Sequence, residues 1–278
     1  MTPGLHARIL GIGLVGPGLT DWDSGAALLR EPAAWPGTPT VVPPPQRLPP
    51  TERRRAGPVV KLSLVAADQA VAAAGLEAVA LATLATVFTS STGEPSNCHA
   101  LCEALAAPER LVSPTRFTNS VHNAPGGYWH IAVQGMAPST SLAAHDASFG
   151  AGLLEAMTQV AATGAPVLLV AADVPYPAPL HAKRPTPDAF SVALLLAPAD
   201  AFGPGPGPCR GLALELRAEA PPTPCGHERL DRLRQGVPAA RALPLLQALA
   251  RAQASGSAAP VTLLLEALPG LSLAATVS

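Results

Sequence analysis

Charge is scarce in this chain: Asp, Glu, Lys and Arg together make up 13% of 278 residues, and the formal net charge is -1. Holding a phosphate backbone requires a basic surface, so nucleic acid is excluded as a partner. Cysteine occurs only at positions 98, 102, 209 and 225, too few and too irregular for a disulfide framework in a chain this long. Aromatic residues contribute 4%, leaving alanine, leucine and valine to build the interior. Long apolar runs are missing too. No stretch approaches the roughly 20 apolar residues of a membrane span, and the run at 9–15 is too short for a signal peptide and has no small-residue cleavage site after it. A cytoplasmic protein is expected. What the chain has in quantity is apolar side chain, 48% of residues. That is ample for a sizeable core and excludes disorder throughout.

Periodicity and punctuation divide the chain into elements. A strand is expected over 8–15, then the turn Gly16-Pro17-Gly18, with Thr20 or Asp21 capping a short helix to about Arg30. Residues 32–50 are proline-rich and should be a loop. Val60, Leu64, Ala67 and Val71 recur at helical spacing over 58–74, and Gly75 ends the run. An apolar strand is expected over 81–90, a helix over 96–106 and a loop with short pieces of structure over 111–123. The central segment is the most informative. It reads as a short strand at 139–143, the turn Ala144-His145-Asp146-Ala147-Ser148, a helix over 149–162 closed by Gly164, and a fully buried strand at 166–171. Strand, helix and strand in some thirty residues make a βαβ unit. Further strands are expected at 189–196 and 212–218, a loop or hinge at 203–208, a helix over 243–254, and a hairpin of 261–267 with 271–277 across Pro269-Gly270. No internal repeat is visible.

Few residue groups carry chemistry. Cys98-His99 with Cys102 invites a metal reading, but a structural zinc site needs four ligands and only Cys98 and Cys102 share a helix face, so buried helix cysteines are the expectation. Gly11, Gly13, Gly16 and Gly18 do not fall into GxGxxG, and no acidic residue ends a second strand, so no dinucleotide is called for. Ser90-Ser91-Thr92-Gly93 lacks the lysine of a P-loop, and Ser148 lacks the glycine two residues earlier that a nucleophile elbow requires. His227 beside Cys225 lies in a charged, turn-like stretch and is expected at the surface. No cofactor or metal is implied. The turn at 144–148 is different, because a residue at a helix N-terminus sits among free N–H groups in a positive potential. A cysteine there becomes a good nucleophile. Asp146 is a poor acyl nucleophile, and its expected role is to cap the helix.

These residues resemble the thiolase-fold ketosynthases. Ala137-Pro138-Ser139-Thr140-Ser141-Leu142 leading into Ala143-Ala144-His145-Asp146-Ala147-Ser148 is similar to the family's strand and nucleophile turn, with Asp146 in the place of the cysteine. Gly150-Ala151-Gly152-Leu153-Leu154-Glu155-Ala156 resembles the helix behind the nucleophile. Val167 to Ala171, the arginine-containing start Glu52-Arg53-Arg54-Arg55 with the helix ending at Gly75, and Val87 to Gly93 resemble neighbouring elements in the right order, over roughly residues 5–200. Active members carry two histidines in the C-terminal half. After Asp146 this chain has only His181 and His227, in other surroundings.

Nucleophile and both histidines are thus absent together, as in the short β-ketoacyl synthase chain length factors of aryl polyene and related pathways. That resemblance implies an α/β, thiolase-like layered α-β-α fold, one domain over 1–278 with a complete half at 1–200 and a reduced C-terminal half at 201–278. It implies no independent catalysis and a heterodimer with an active ketosynthase. In that pair the chain helps shape the acyl-chain tunnel and meets the acyl carrier protein indirectly. The implied interface includes Ser139, Thr140 and Ser141 of the strand that pairs across such dimers. Ser120, His122 and Asn123, with the stretch 128–134, belong to it as well. The alternative from another class is a small hydrolase or decarboxylase using His145 and Asp146, although adjacent residues at a helix start point in different directions.

Overall fold

The computed structural model describes residues 4–200, 210–255 and 259–278. The hinge expected at 203–208 and Cys209 fall outside them. In chain order come β1 (Leu5–Val15), α1 (Trp22–Arg30), α2 (Pro50–Arg55), α3 (Pro58–Ala73), α4 (Ala78–Ala82), β2 (Ala85–Thr89), α5 (Pro95–Ala106), α6 (Pro114–Thr118), α7 (Ala124–Val133), β3 (Ser139–Leu142), α8 (Ser148–Thr163), β4 (Val167–Asp173), β5 (Phe190–Pro198), β6 (Arg210–Ala218), α9 (Glu228–Gly236), α10 (Leu243–Ser255), β7 (Val261–Glu266) and β8 (Leu271–Val277).

The eight strands form one sheet in the order β3-β2-β4-β5-β1-β6-β8-β7. β3, β2 and β4 are parallel, and the pairings from β4 through β5, β1, β6 and β8 to β7 are antiparallel. The strands flanking α8 are therefore not neighbours, because β2 lies between them. β4 and β5 are buried along almost their whole length, as expected of central strands covered on both faces. One face carries the core built on α3 and α7, with Val60, Leu64, Val71 and Trp129 against Leu168, Val170 and Leu195. The other carries α1, α8, α9 and α10, with Leu29, Leu153, Leu230 and Leu246 against Leu169, Leu194 and Leu214. The result is three layers, α-β-α.

Local chemistry explains the main elements. Asp21 caps α1 by accepting the Ser24 N–H at 2.8 Å. Pro58 opens α3, and Gly75, at φ 66°, turns the chain out of it. Gly11 and Gly13 let β1 lie flat against α3: a Cβ there would stand 2.0 and 1.9 Å from the Ala70 and Ala66 carbonyl oxygens. α8 ends at Gly164 in the left-handed region.

Three expectations need correction. Residues 81–90 are not one strand: Ala78–Ala82 is a helical turn and β2 starts at Ala85. The run AVALA is apolar without being β-branched throughout, and Leu81 is buried from the helix. Cys98 and Cys102 are exposed, because α5 lies at the surface and of its residues only Pro95 is buried. The charged stretch after Gly226 forms α9, with Leu230 and Leu233 three residues apart facing the core.

Candidate functional site

The turn between β3 and α8 is built as a tight elbow. His145 adopts φ 51°, uncommon for a residue with a side chain. Ser148 holds the turn from below: its Oγ accepts the Ala144 N–H at 3.0 Å and donates to the His145 carbonyl at 2.6 Å. Ser148 is 1% exposed, so its hydroxyl serves the backbone and is closed to substrate.

Asp146 does not cap α8. The N-cap position belongs to Ala147, and no side chain accepts from the first turn. The Asp146 carboxylate is drawn to two arginines instead. Arg184 Nη2 donates to Oδ1 at 2.6 Å, and Arg241 Nη2 lies 3.3 Å from Oδ2. Arg184 also donates to Ser91 Oγ at 2.7 Å and makes a short contact with His145 Nε2. Beyond Arg241 the ion network continues through Glu266 and Arg234 to Asp231, which accepts the Cys225 N–H at 2.9 Å. Charge-assisted contacts of this kind hold a carboxylate as an anion in a fixed place. His145 Nδ1 stands 3.6 Å from Asp146 Oδ1. The pair meets more closely than adjacent positions suggested, but Arg184 contacts both members.

Around this turn lies a cavity of about 380 Å³, bounded by Ala144 to Ala147, Arg241, Glu266 and the turn between β7 and β8. A second cavity of about 310 Å³ shares Ala267, Leu268 and Leu271 with it and is lined by Leu142, Leu154, Leu216 and Leu273. Gly150 lets β7 close on α8, since a Cβ there would come within 2.2 Å of the Glu266 carbonyl oxygen.

Beneath the elbow sits Asp173, the last residue of β4 and 1% exposed. Oδ1 accepts the Ser91 and Thr92 N–H groups at 2.8 and 2.9 Å and the Ser90 and Thr92 hydroxyls at 3.1 and 3.2 Å. Oδ2 accepts the Ala239 N–H at 2.8 Å. Burial pushes the carboxyl above its ordinary range even though every bond to it favours the anion. Sequence reasoning missed Asp173, Arg184 and Arg241. An acidic residue closing a fully apolar strand was a signal for the first. The arginines reach Asp146 across 38 and 95 positions of chain, with no local pattern to mark them.

The residues expected at an interface surround the free edge of the sheet. β3 is the terminal strand. Thr86 N–H donates to the Pro138 carbonyl and Ser90 N–H to that of Leu142, so Ser139 and Ser141 turn their backbone groups to the open side. Ser139 Oγ accepts from Thr86, and Thr140 Oγ1 from Gln159. Ser120, His122 and Asn123 are exposed, with the His122 ring 3.0 Å from the Ser90 carbonyl. Within 128–134, Tyr128 and Trp129 face the core instead, while Ile131 is exposed. Among the described residues, no group of three or more side chains is arranged to hold a metal ion. Nor, among the described residues, is any helix long and apolar enough to cross a membrane.

The family model of the β-ketoacyl synthase N-terminal domain matches residues 26–226, well over half of the chain. The chain belongs to the β-ketoacyl synthase family, and its mixed α/β architecture is the thiolase-like fold of that family. Among solved structures it is similar to a chain of the ketosynthase (ApeO) in complex with its chain length factor (ApeC) from Xenorhabdus doucetiae, with TM-score 0.70, 23% identity, and 98% of this chain and 99% of that one covered. The ishigamide ketosynthase/chain length factor gives TM-score 0.71 at 17% identity, covering 98% and 99%. A chain of AntDE:AntF, a type II polyketide synthase acyl-carrier protein in complex with its ketosynthase, gives 0.78 at 11%, covering 99% of each. No curated protein matches the sequence significantly.

Proposed function

We propose that this chain is a non-catalytic ketosynthase-like subunit, a chain length factor. It pairs with an active ketosynthase and helps shape the acyl-chain tunnel in polyketide, aryl polyene or fatty-acid-like biosynthesis. The observation that carries the reading is the state of Asp146. At the elbow where a condensing enzyme needs a nucleophile, this chain has a carboxylate engaged by Arg184 and Arg241. Such a group neither attacks a thioester nor is freed to act as a base for His145, which argues against the hydrolase or decarboxylase alternative. The likeness to chains from two ketosynthase and chain length factor structures supports the same reading.

In this proposal the chain is one domain over 1–278, with residues 1–200 as the ketosynthase-like half and 201–278 as a reduced second half. It acts in the cytoplasm, needs no cofactor and meets the acyl carrier protein through its partner. Docking uses the open edge of β3 with Ser139, Thr140 and Ser141, flanked by Ser120, His122 and Asn123. Leu111, Phe117, Val121, Ile131 and Met136, all more than half exposed, lie in the segments leading to that edge and are apolar surface for a partner to cover.

The test is co-expression with a ketosynthase and acyl carrier protein from the same gene neighbourhood. A stable heterodimer and a product length that depends on this subunit are expected. Ser141→Pro removes an outward N–H without touching the ladder to β2, and should weaken the heterodimer at least ten-fold while the subunit keeps its circular dichroism. A subunit that stays apart and never alters product length refutes the reading. Turnover by the purified chain alone, abolished in Asp146→Ala, would establish the enzyme alternative.

A further inference from the structure

On the surface away from the elbow, the loop before α3 and the starts of α5 and α6 enclose a cavity of about 370 Å³. Arg54, Arg55 and Arg116 line it. Arg54 and Arg116 are exposed and have no carboxylate partner, and Arg55 makes one 3.3 Å contact with Glu52 while its side chain is 61% exposed. For a chain with a net charge of -1 this is a pronounced local excess of positive charge.

Neutral donors line the cavity too. α5 opens on Pro95 and no side chain caps it, so the Ser96 and Asn97 N–H groups of its first turn have no intrahelical acceptor. The Ser96 and Thr115 hydroxyls have no protein partner and line the same space. One acidic residue, Glu94, also lines it: its Oε2 accepts the Val59 N–H at 2.9 Å at the start of α3, while its Oε1, like Asn119 Oδ1, is a buried acceptor with no partner among the described residues. Asn97 Nδ2 is likewise committed, donating to the Arg116 carbonyl at 2.7 Å. The donors left are the Arg54 and Arg116 guanidiniums, part of Arg55, two hydroxyls and two backbone N–H groups, which outnumber the two buried acceptors Glu94 Oε1 and Asn119 Oδ1. Together they match an anion with several oxygens and more than one charge. A single carboxylate would leave most of the donors unmet.

We propose that this cavity is a phosphate-binding site, taking inorganic phosphate or the phosphate group of an ester, with Arg54 and Arg116 as its principal ligands. The cavity shares no lining residue with the elbow, and its test is read on the chain alone, so it does not depend on the docking role.

Isothermal titration calorimetry on the full chain at low ionic strength, with inorganic phosphate, phenyl phosphate and acetate in turn, decides it. Saturable phosphate binding is expected, at least ten-fold weaker in Arg54→Gln/Arg116→Gln and unchanged in Arg251→Gln, which removes an exposed arginine on α10. Tighter binding of phenyl phosphate assigns the site to an ester and equal binding assigns it to free phosphate; both uphold the proposal. It is overturned by an absence of saturable heat with both phosphates, by acetate binding as tightly as phosphate, or by undiminished affinity in a double variant whose circular dichroism shows it folded.

Discussion

Asp173→Ala removes the acceptor on which two distant segments, 90–92 and Ala239, converge. The Ser90 and Thr92 hydroxyls can rotate to other partners. The Ser91, Thr92 and Ala239 N–H groups cannot, and each is left without its acceptor. A stranded buried donor costs about 1–3 kcal/mol. The raised carboxyl shows that part of the native charge's desolvation is uncompensated, and removing it offsets some of the loss, so about 3–6 kcal/mol is expected. Asp173→Asn should cost less, about 1–3 kcal/mol, because one oxygen still serves the Oδ1 donors while an amide faces the Ala239 N–H. Urea unfolding at neutral pH measures both, with midpoints falling and slopes unchanged. The pH dependence gives a second readout. The native carboxyl holds its proton more tightly than the ordinary value of 3.8. Its contribution to stability is therefore fully present below that value and is lost as pH rises through the raised native one. Asp173→Asn should remove that decline. A loss below about 1 kcal/mol in Asp173→Ala, or a pH profile identical in Asp173→Asn, refutes the role assigned to this carboxylate.

The other expectations concern the elbow and the thiols. Asp146→Ala should cost about 1 kcal/mol, since its ion pairs are partly exposed, and 1 M salt should bring variant and parent closer in thermal unfolding. Gly150→Ala drives a methyl group into the Glu266 carbonyl and should cost about 1–3 kcal/mol, with faster amide exchange along β7. Burial pushes the Cys225 thiol up to about 12, whereas Cys98 and Cys102 are exposed. Peptide-level mass spectrometry after brief alkylation at pH 8 should find the α5 cysteines modified and Cys225 intact.

Elements with strong local signals were legible in the sequence. The helical spacing of Val60, Leu64, Ala67 and Val71 with Gly75 behind it located α3. Gly164 closed α8, the unbroken run ending at Ala171 located β4, and Pro269-Gly270 marked the hairpin of β7 and β8. Where apolar residues lacked a period, as in Ala78–Ala82, strand and helix were indistinguishable, and burial in the assembled fold decided. The exposure of Cys98 and Cys102 depends on what packs on α5, which its own residues do not encode. At the candidate site the elbow and the resemblance were legible because they rest on contiguous residues. The partners of Asp146 were not. Arg184 and Arg241 lie in irregular or alanine-rich segments, and only the folded chain brings them together, so a cap was the best local reading of Asp146 and the wrong one.

The two guanidiniums around Asp146 bear on how such a chain could regain chemistry. Reverting the position by Asp146→Cys would set a thiol between the same cations, which stabilise a thiolate as they do a carboxylate. Alkylation of that thiol should persist to lower pH than for Cys98. The paired cations thus make position 146 a place where any anionic side chain is held, so a single substitution there changes reactivity without changing the turn that presents it.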